Sequence, residues 1–452
     1  MDKKTNRKLH TLDLTTGSIP GGMLRFAVPV FFGMLFQLFY SLVDTRIVGS
    51  VLGEGALASV GAVSVLANLM IGFMDGMARG FSIPVARYFG SGNKKGLRKN
   101  VGNIIFLGAG MTLVFTFVSL FFMDDLMEWM NISPELYGDA KTYISILICG
   151  LAATFAYNAG AGILRAVGDA VAPLLFLVCS SILNVVMDLG FIQGFHMGVE
   201  GAAYATVIAQ VISGILCWVY MMRKYEMFHI TFQDILPEKQ YMTELASAGF
   251  SMACMNSLVQ FGTVSLQTSI NTLGKNTIVA HTAARKATEI FMILFSVIGS
   301  TMATFAGQNF GAGTYERIKR GLVFVIKINV VWCTLVFIIA HVCSPWIISV
   351  ITGTDVTEIL KTGALYLEVD TCFYIIPAFI TMLRNMLQGI GDHITPVVSS
   401  SLELLGKVLF AKMLTPIFGY WGIIWAEPFV WALMVIPLAV QTLKNPVLRN
   451  TA

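Results

Sequence analysis

Long apolar runs separated by short polar stretches repeat along the whole chain. Each run is long enough to cross the ~30 Å hydrocarbon core of a bilayer, which takes roughly 20 residues of helix. Twelve spans are predicted, at 24–49, 57–78, 101–123, 137–160, 171–193, 200–222, 245–271, 279–305, 322–344, 360–383, 396–416 and 420–442. The longest polar stretch between them, RKYEMFHITFQDILPEKQYMTE, falls halfway. The expected organisation is an amino-terminal six-helix lobe over 1–222, a linker over 223–244 and a carboxyl-terminal six-helix lobe over 245–452.

Two landmarks state that division a second time. Phe89-Gly90-Ser91-Gly92 recurs as Phe310-Gly311-Ala312-Gly313, an offset of 221 residues (89 to 310). Gly168-Asp169-x-x-x-Pro173 recurs as Gly391-Asp392-x-x-x-Pro396, an offset of 223 (169 to 392). Such agreement marks an internal duplication. Six spans preserve orientation, so the repeats run parallel, related by an axis along the membrane normal, with a site expected between the halves. Glycine permits tight turns and proline suits the first turn of a following helix, so both motifs read as turns with no ligand role. A phosphate loop is disfavoured, because no Gly-Lys-Ser/Thr follows and no parallel strand precedes.

Composition removes the soluble alternative. The chain is 56% hydrophobic and 12% charged, against about a quarter charged in soluble domains, and its mean hydropathy is +0.74. Its seven cysteines form no C-x-x-C pair; Cys149, Cys179, Cys217 and Cys333 fall inside apolar runs and read as small packing residues. Lys3, Lys4, Arg7 and Lys8 precede no short apolar core with a cleavage site, so no removable signal peptide is expected. The net charge of +4 matters less than its distribution. Loops after even-numbered spans hold Arg79, Arg87, Lys94, Lys95, Arg98, Lys99, Arg165, Arg223, Lys224, Arg317, Lys319, Arg320 and Arg384. Opposite loops hold Asp124, Asp125, Glu135 and Asp355. The positive-inside rule then puts both termini in the cytoplasm, as an even span number also requires.

Acids and amides inside spans are costly, a mid-membrane carboxylate by ~2.5–3.5 kcal/mol on insertion scales, so those that persist carry information. Asp44 lies late in span 1, Asn184 and Asp188 lie one turn apart on one face of span 5, and Thr206 lies near the start of span 6. All four are expected at one depth in the outer half of the bilayer. Two carboxyl groups with amide and hydroxyl oxygens could coordinate a hard cation such as Na+, or carry a proton. The structural alternative is a polar lock between helices, with Arg46 pairing Asp44. Elsewhere, Glu403 and Lys407 are spaced to neutralise each other, and Asp75 with Arg79 reads as a helix-end ion pair. Arg285, Lys286 and Glu289 form a dense cluster in span 8, open to internal pairing or substrate contact, and Asp370 in span 10 is unpaired in sequence.

Over essentially its whole length the chain resembles the multidrug and toxic compound extrusion (MATE) family. The resemblance is carried by VDTRIVGSVLGEGALASVGA, by AHTAARKATEIF with GQNFGAG, and by both Gly-Asp turns. It implies an all-α integral membrane protein whose two lobes enclose a V-shaped cavity, exporting organic, often cationic, compounds in exchange for Na+ or H+. In its coupling site the chain is most similar to the DinF-like bacterial branch, which implies cation-coupling roles for Asp44, Asn184, Asp188 and Thr206. The same resemblance implies a helix-1 hinge at Pro29 and cavity-lining roles for Gln37, Tyr143 and Asn158, to which Glu289 and Asp370 are added as cavity candidates. The other bacterial branch carries acids in helices 7 and 10, where this chain has about Val259 or Gln260 and about Pro377.

The expected function is therefore a multi-pass antiporter of the bacterial inner membrane, acting as a monomer on small molecules, with no enzymatic activity, prosthetic cofactor or nucleic-acid partner. A lipid-linked oligosaccharide flippase of the same wider superfamily is the alternative. Such flippases commonly need basic groups in the central cavity for a pyrophosphate, and Arg285, Lys286 and Lys407 are the candidates.

Overall fold

The computed structural model describes residues 12–449, and these are helical with no β-strand. Lys3, Lys4, Arg7 and Lys8 lie outside the described residues. The first half contains α1 (Ile19–Leu52), α2 (Glu54–Gly90), α3 (Lys94–Phe121), α4 (Pro134–Cys149), α5 (Leu151–Ala166), α6 (Val171–Leu189) and α7 (Val199–Lys224). The second contains α8 (Lys239–Ile270), α9 (Lys275–Gly311), α10 (Tyr315–Thr352), α11 (Thr357–Cys372), α12 (Ile375–Gly389), α13 (Ile394–Phe418) and α14 (Tyr420–Lys444). Every element has its counterpart seven places later. Even the irregularities repeat: α4 meets α5 at a 46° bend and α11 meets α12 at 55°. Positive φ at Gly53 (85°) and Gly274 (92°) lies between the first two helices of each half, directly before the second. Among the described residues nine helices are long and apolar enough to cross a membrane, or eleven with each bent pair counted as one span; with the more polar α8 they make twelve in two six-helix bundles, arranged as a V.

Local chemistry explains the ends. Ser18 caps α1 by accepting a hydrogen bond from Gly21 N, and Asn93 caps α3 through Gly96 N at 2.8 Å. In both Gly-Asp turns the glycine has positive φ (Gly168 87°, Gly391 100°). The aspartate then caps the next helix: Asp169 accepts from Ala172 N at 3.1 Å, and Asp392 from Thr395 N at 3.0 Å. Large apolar side chains cover the outer surface where lipid would lie. Leu113, Phe117 and Phe121 on α3, and Val331, Val342 and Trp346 on α10, are all exposed.

Several helices extend beyond their expected spans. α2 continues to Gly90, three turns past the Asp75–Arg79 ion pair, which closes at 2.8 Å. That pair is thus interior to the helix and does not mark its end. α8 begins at Lys239, inside the stretch read as linker. Hydropathy measures what lipid tolerates, whereas backbone hydrogen bonding carries a helix into water for as long as its residues allow. Within the rest of the linker a short helix, Phe232–Ile235, docks on α3, where Lys99 Nζ donates to Gln233 O at 2.6 Å and pairs with Glu238, just before α8, at 2.6 Å. Burial raises the Asp234 carboxyl, but hydrogen bonds from the Thr231 backbone and hydroxyl, with Arg98 and Lys99 nearby, hold it below the usual range.

The two halves meet at the end of the molecule where α2 and α9 terminate. Their first motif glycines allow backbone to touch backbone. A Cβ on Gly90 would lie 1.9 Å from the Gln308 carbonyl oxygen, and one on Gly311 2.0 Å from that of Arg87. The flanking side chains cross in the same pseudo-symmetric way. Gln308 Nε2 donates to Ala166 O at 2.8 Å, beside the first Gly-Asp turn. The Arg87 guanidinium lies against Gly391 in the second and pairs with Glu244 at 3.4 Å. Residues before α1 brace this closure: Leu14 N donates to Gln308 Oε1 at 3.0 Å, and Arg317 donates to the carbonyls of Leu14, Thr16 and Gly17. Both motifs are turns, as read, and they also form the contact that closes one face.

Candidate functional site

The amino-terminal half gathers one polar cluster from four helices. α6 is apolar except for one stripe that faces inward, along which Ser180, Ser181, Asn184 and Asp188 are all buried. Asn184 and Asp188 are wholly buried one turn apart, so both point into the bundle. α1 brings Tyr40 and Asp44, again one turn apart, and α7 brings Thr206 in its second turn. α4 adds Tyr143, close to both carboxyl groups.

Hydrogen bonds tie these groups together. Tyr40 Oη and the Asn184 side-chain amide lie 2.7 Å apart. The amide orientation that satisfies every neighbour turns its nitrogen toward Tyr40 and toward Asp188 Oδ2 at 3.0 Å, while its oxygen accepts from Thr206 N at 3.0 Å. Asp44 and Asp188 face each other within hydrogen-bond reach, and each keeps one buried oxygen with no protein donor. Two carboxyl groups in contact are favourable only with a proton or a cation between them. The two unpartnered carboxyl oxygens form its open corner, which suits a hard monovalent cation or a proton. Among the described residues no group of three or more His, Cys, Asp or Glu is placed to hold a metal ion. Arg46 is exposed and makes no ion pair among the described residues, so it does not neutralise Asp44.

The remaining candidates lie elsewhere. Gln37 is exposed on α1 two turns before Asp44, and Asn158 is half-buried in α5; neither joins the cluster's hydrogen bonds among the described residues. Pro29 sits within α1, whose backbone keeps helical angles through it. Glu289 is exposed and pairs with Lys286 at 3.0 Å. Toward the end opposite the closure, Asp139 and Glu135 continue the Tyr143 face of α4 and border an open cavity of about 260 Å³ with Ser59 and Val199.

The carboxyl-terminal half holds a second buried cluster that sequence reading saw only in part. Arg285 on α9 donates to both carboxylate oxygens of Glu427 on α14, at 3.0 and 3.3 Å, and lies 3.4 Å from Tyr366 Oη. Tyr366 donates to the same carboxylate. Asp370, one turn after Tyr366 on α11, is fully buried with neither oxygen hydrogen-bonded. Lys407 bonds Glu403 at 2.9 Å within α13, as their spacing foretold, and Arg384 approaches the same acid at 3.8 Å. Glu427, inside the apolar run IIWAEPFVW, is an intramembrane acid and thus a visible signal that went unread; so is Tyr40, one turn before Asp44. Each of the three basic residues the flippase alternative needs, Arg285, Lys286 and Lys407, already has an acidic partner.

Comparison with known proteins gives one consistent result. The MatE family model matches residues 29–189 and 251–412, once in each half. The chain is 25% identical over 413 residues to the "Probable multidrug resistance protein YoeA" of Bacillus subtilis (strain 168), covering 90% of this chain and 85% of that one. Its fold superposes at a TM-score of 0.89 on an "Outward-facing conformation of a multidrug resistance MATE family transporter of the MOP superfamily", with 24% identity, over 98% of this chain and 99% of the other. It superposes at 0.86 on a MATE protein "in the bent conformation", also 24% identical, over 95% and 97% of the two chains.

Proposed function

Since the chain belongs to the MatE family, we propose that it is a secondary antiporter, which exports organic, drug-like and mainly cationic compounds by alternating access while H+ or Na+ enters. The observation that carries this reading is the facing pair Asp44 and Asp188, each with a free buried oxygen, completed by Asn184 and Thr206. Loading that corner with a cation removes the repulsion between two carboxylates, and emptying it restores the repulsion. Occupancy therefore changes how α1 packs against α6 and α7. The face closed by Gly90 and Gly311 must open for the other half of the cycle. Residues 1–222 and 245–452 act as the two rocking lobes, joined by 223–244.

The lysine and arginine distribution puts both termini, and the closed face, in the cytoplasm of a bacterial cell whose inner membrane holds the protein as a monomer. The test is efflux of a fluorescent organic cation from vesicles, with sodium and pH gradients imposed separately. Gradient-driven efflux lost in both Asp44→Asn and Asp188→Asn, with folding intact, supports the reading. Full efflux by both variants removes it.

A further inference from the structure

α2 packs directly on α8 of the other half, where a Cβ on Gly76 would lie 2.7 Å from Ala253 Cα. Beside that contact α2 and α9 present the same polar stripe. It holds Asn68, Asp75 and Arg79 on α2 and, at the motif offset of 221, Glu289, Ser296 and Ser300 on α9. These residues are exposed or half-buried, whereas Met74, Met77, Ala78 and Phe81 between and beyond them are buried. A polar stripe inside a span faces water and not lipid, so the two stripes line the cleft between the halves. α2 exposes no residue from Gly80 to Gly90, which puts Arg79 at the cleft floor. α5 runs beside α2 at that level: a Cβ on Gly162 would lie 3.2 Å from Ser82 Cβ and 3.6 Å from Ala78 O. Arg165, one turn further on, leans back along α5 and lies close to Tyr157, Arg79 and Asp75. Among the described residues its guanidinium makes no hydrogen bond and no ion pair, and none of its nitrogens is sealed from solvent. The one acid nearby, Asp75, is already bonded to Arg79 Nε at 2.8 Å.

We propose that this floor is a binding site for the carboxylate group of an exported compound, held by Arg165 and by the outer nitrogens of Arg79. The proposal rests on reading the chain as an exporter of organic compounds, and it narrows the substrates to those that carry a carboxylate, zwitterions included. Two guanidinium groups and one carboxylate leave a single positive charge in excess, which a monoanion neutralises. A phosphate monoester, with a charge of about −1.5 to −2, would leave the floor negative. The planar forks of two arginines also match the two oxygens of a carboxylate. The fold does not require these charges. At the equivalent positions the other half has Ser300 for Arg79 and, at the offset of 223, Gln388 for Arg165, and the same helices pack there without them. Lys286, on the facing stripe, is held by Glu289 at 3.0 Å and leaves the excess charge on the amino-terminal side. The site also adjoins the closure, because the carbonyl of Ala166, next to Arg165, accepts from Gln308 Nε2 of the other half at 2.8 Å.

The test measures fluorescence polarisation of two probes on the full-length protein in lipid nanodiscs at neutral pH. The probes are rhodamine B and its ethyl ester, which share a cationic ring system and differ only in the carboxylate. The unmodified protein should bind rhodamine B roughly tenfold to a hundredfold more tightly than the ester. Arg165→Gln should remove that preference by weakening rhodamine B alone, and Asp75→Asn, which deletes the competing acid, should enlarge it. Equal binding of the two probes, binding of neither, or a preference unchanged in folded Arg165→Gln overturns the proposal. If Arg165→Gln does not fold, Asp75→Asn decides: a preference that does not rise overturns it. Gradient-driven export from vesicles is read separately. Carboxylate-selective binding without export of either probe would count against the exporter reading alone, whereas export of the ester with no carboxylate preference would leave that reading standing and remove this one.

Discussion

Gly90 and Gly311 occupy equivalent positions in the two halves, and each lies against the backbone of the other's helix, Gly90 on Gln308 and Gly311 on Arg87. The gaps that a Cβ would have to fill are 1.9 and 2.0 Å to carbonyl oxygens, less than any real carbon–oxygen contact. One pseudo-symmetric crossing therefore sets how closely the halves approach.

Alanine at either glycine should hold the crossing apart. The neighbour is backbone on a long helix, so no side chain can rotate out of the way. Gly90→Ala and Gly311→Ala should each lengthen spectroscopic distances between labels placed across this face, and each should slow transport by a similar factor because their places are equivalent. Unchanged distances in both variants would show that the closure tolerates a methyl group.

Coupling should depend on Asp44 and Asp188 far more than on their neutral neighbours. Asp44→Asn or Asp188→Asn conserves volume but removes a carboxylate, and gradient-driven efflux should disappear. Asn184→Ala removes the neutral donor to the Asp188 carboxylate, worth ~1.5–3 kcal/mol, and Thr206→Ala, which removes only a hydroxyl beside that amide, should cost less. Cation affinity should fall roughly tenfold to a hundredfold in Asn184→Ala and by less in Thr206→Ala, with transport still measurable in both.

Stability should fall in mild acid through His393. Burial, and then the positive charge of Arg87, push its imidazole down to about 4. Its folded value lies below the ordinary ~6.5. The contribution of the neutral ring is therefore complete above ~6.5 and is lost as pH falls toward about 4, by at most ~3 kcal/mol. Thermal unfolding measured against pH should show this loss in the native protein and a shallower slope in His393→Asn. Parallel slopes would assign the acid sensitivity to other groups.

Movement of α1 should depend on Pro29. The ring cannot donate to the carbonyl of Arg25 and crowds the turn before it, so α1 has a weak point about 22 Å along the helix from Asp44. Pro29→Ala should restore that bond, stiffen α1 and slow turnover while leaving cation affinity nearly unchanged. Normal turnover in this variant would leave rigid rocking of the lobes as the moving part.

The sequence by itself determined the twelve spans, the duplication and Asp44, Asn184, Asp188 and Thr206 of the amino-terminal cluster, but not Tyr40. Each of these is local or periodic: a span is a run of about 20 apolar residues, a repeat is an offset, and an intramembrane acid stands out against its neighbours. It also foretold Glu403–Lys407, because partners one helical turn apart are visible without a fold. Only the tertiary structure decided which distant groups neutralise each other. Arg285 and Glu427 are 142 positions apart, and nothing in either neighbourhood announces the other. The same holds for Gly90 and Gln308: both glycine motifs read correctly as turns, yet their contact across the two halves needed the helices in place. Pairing energy inside a membrane depends on distances of a few ångströms between helices, and those distances are set by packing, which sequence periodicity does not encode.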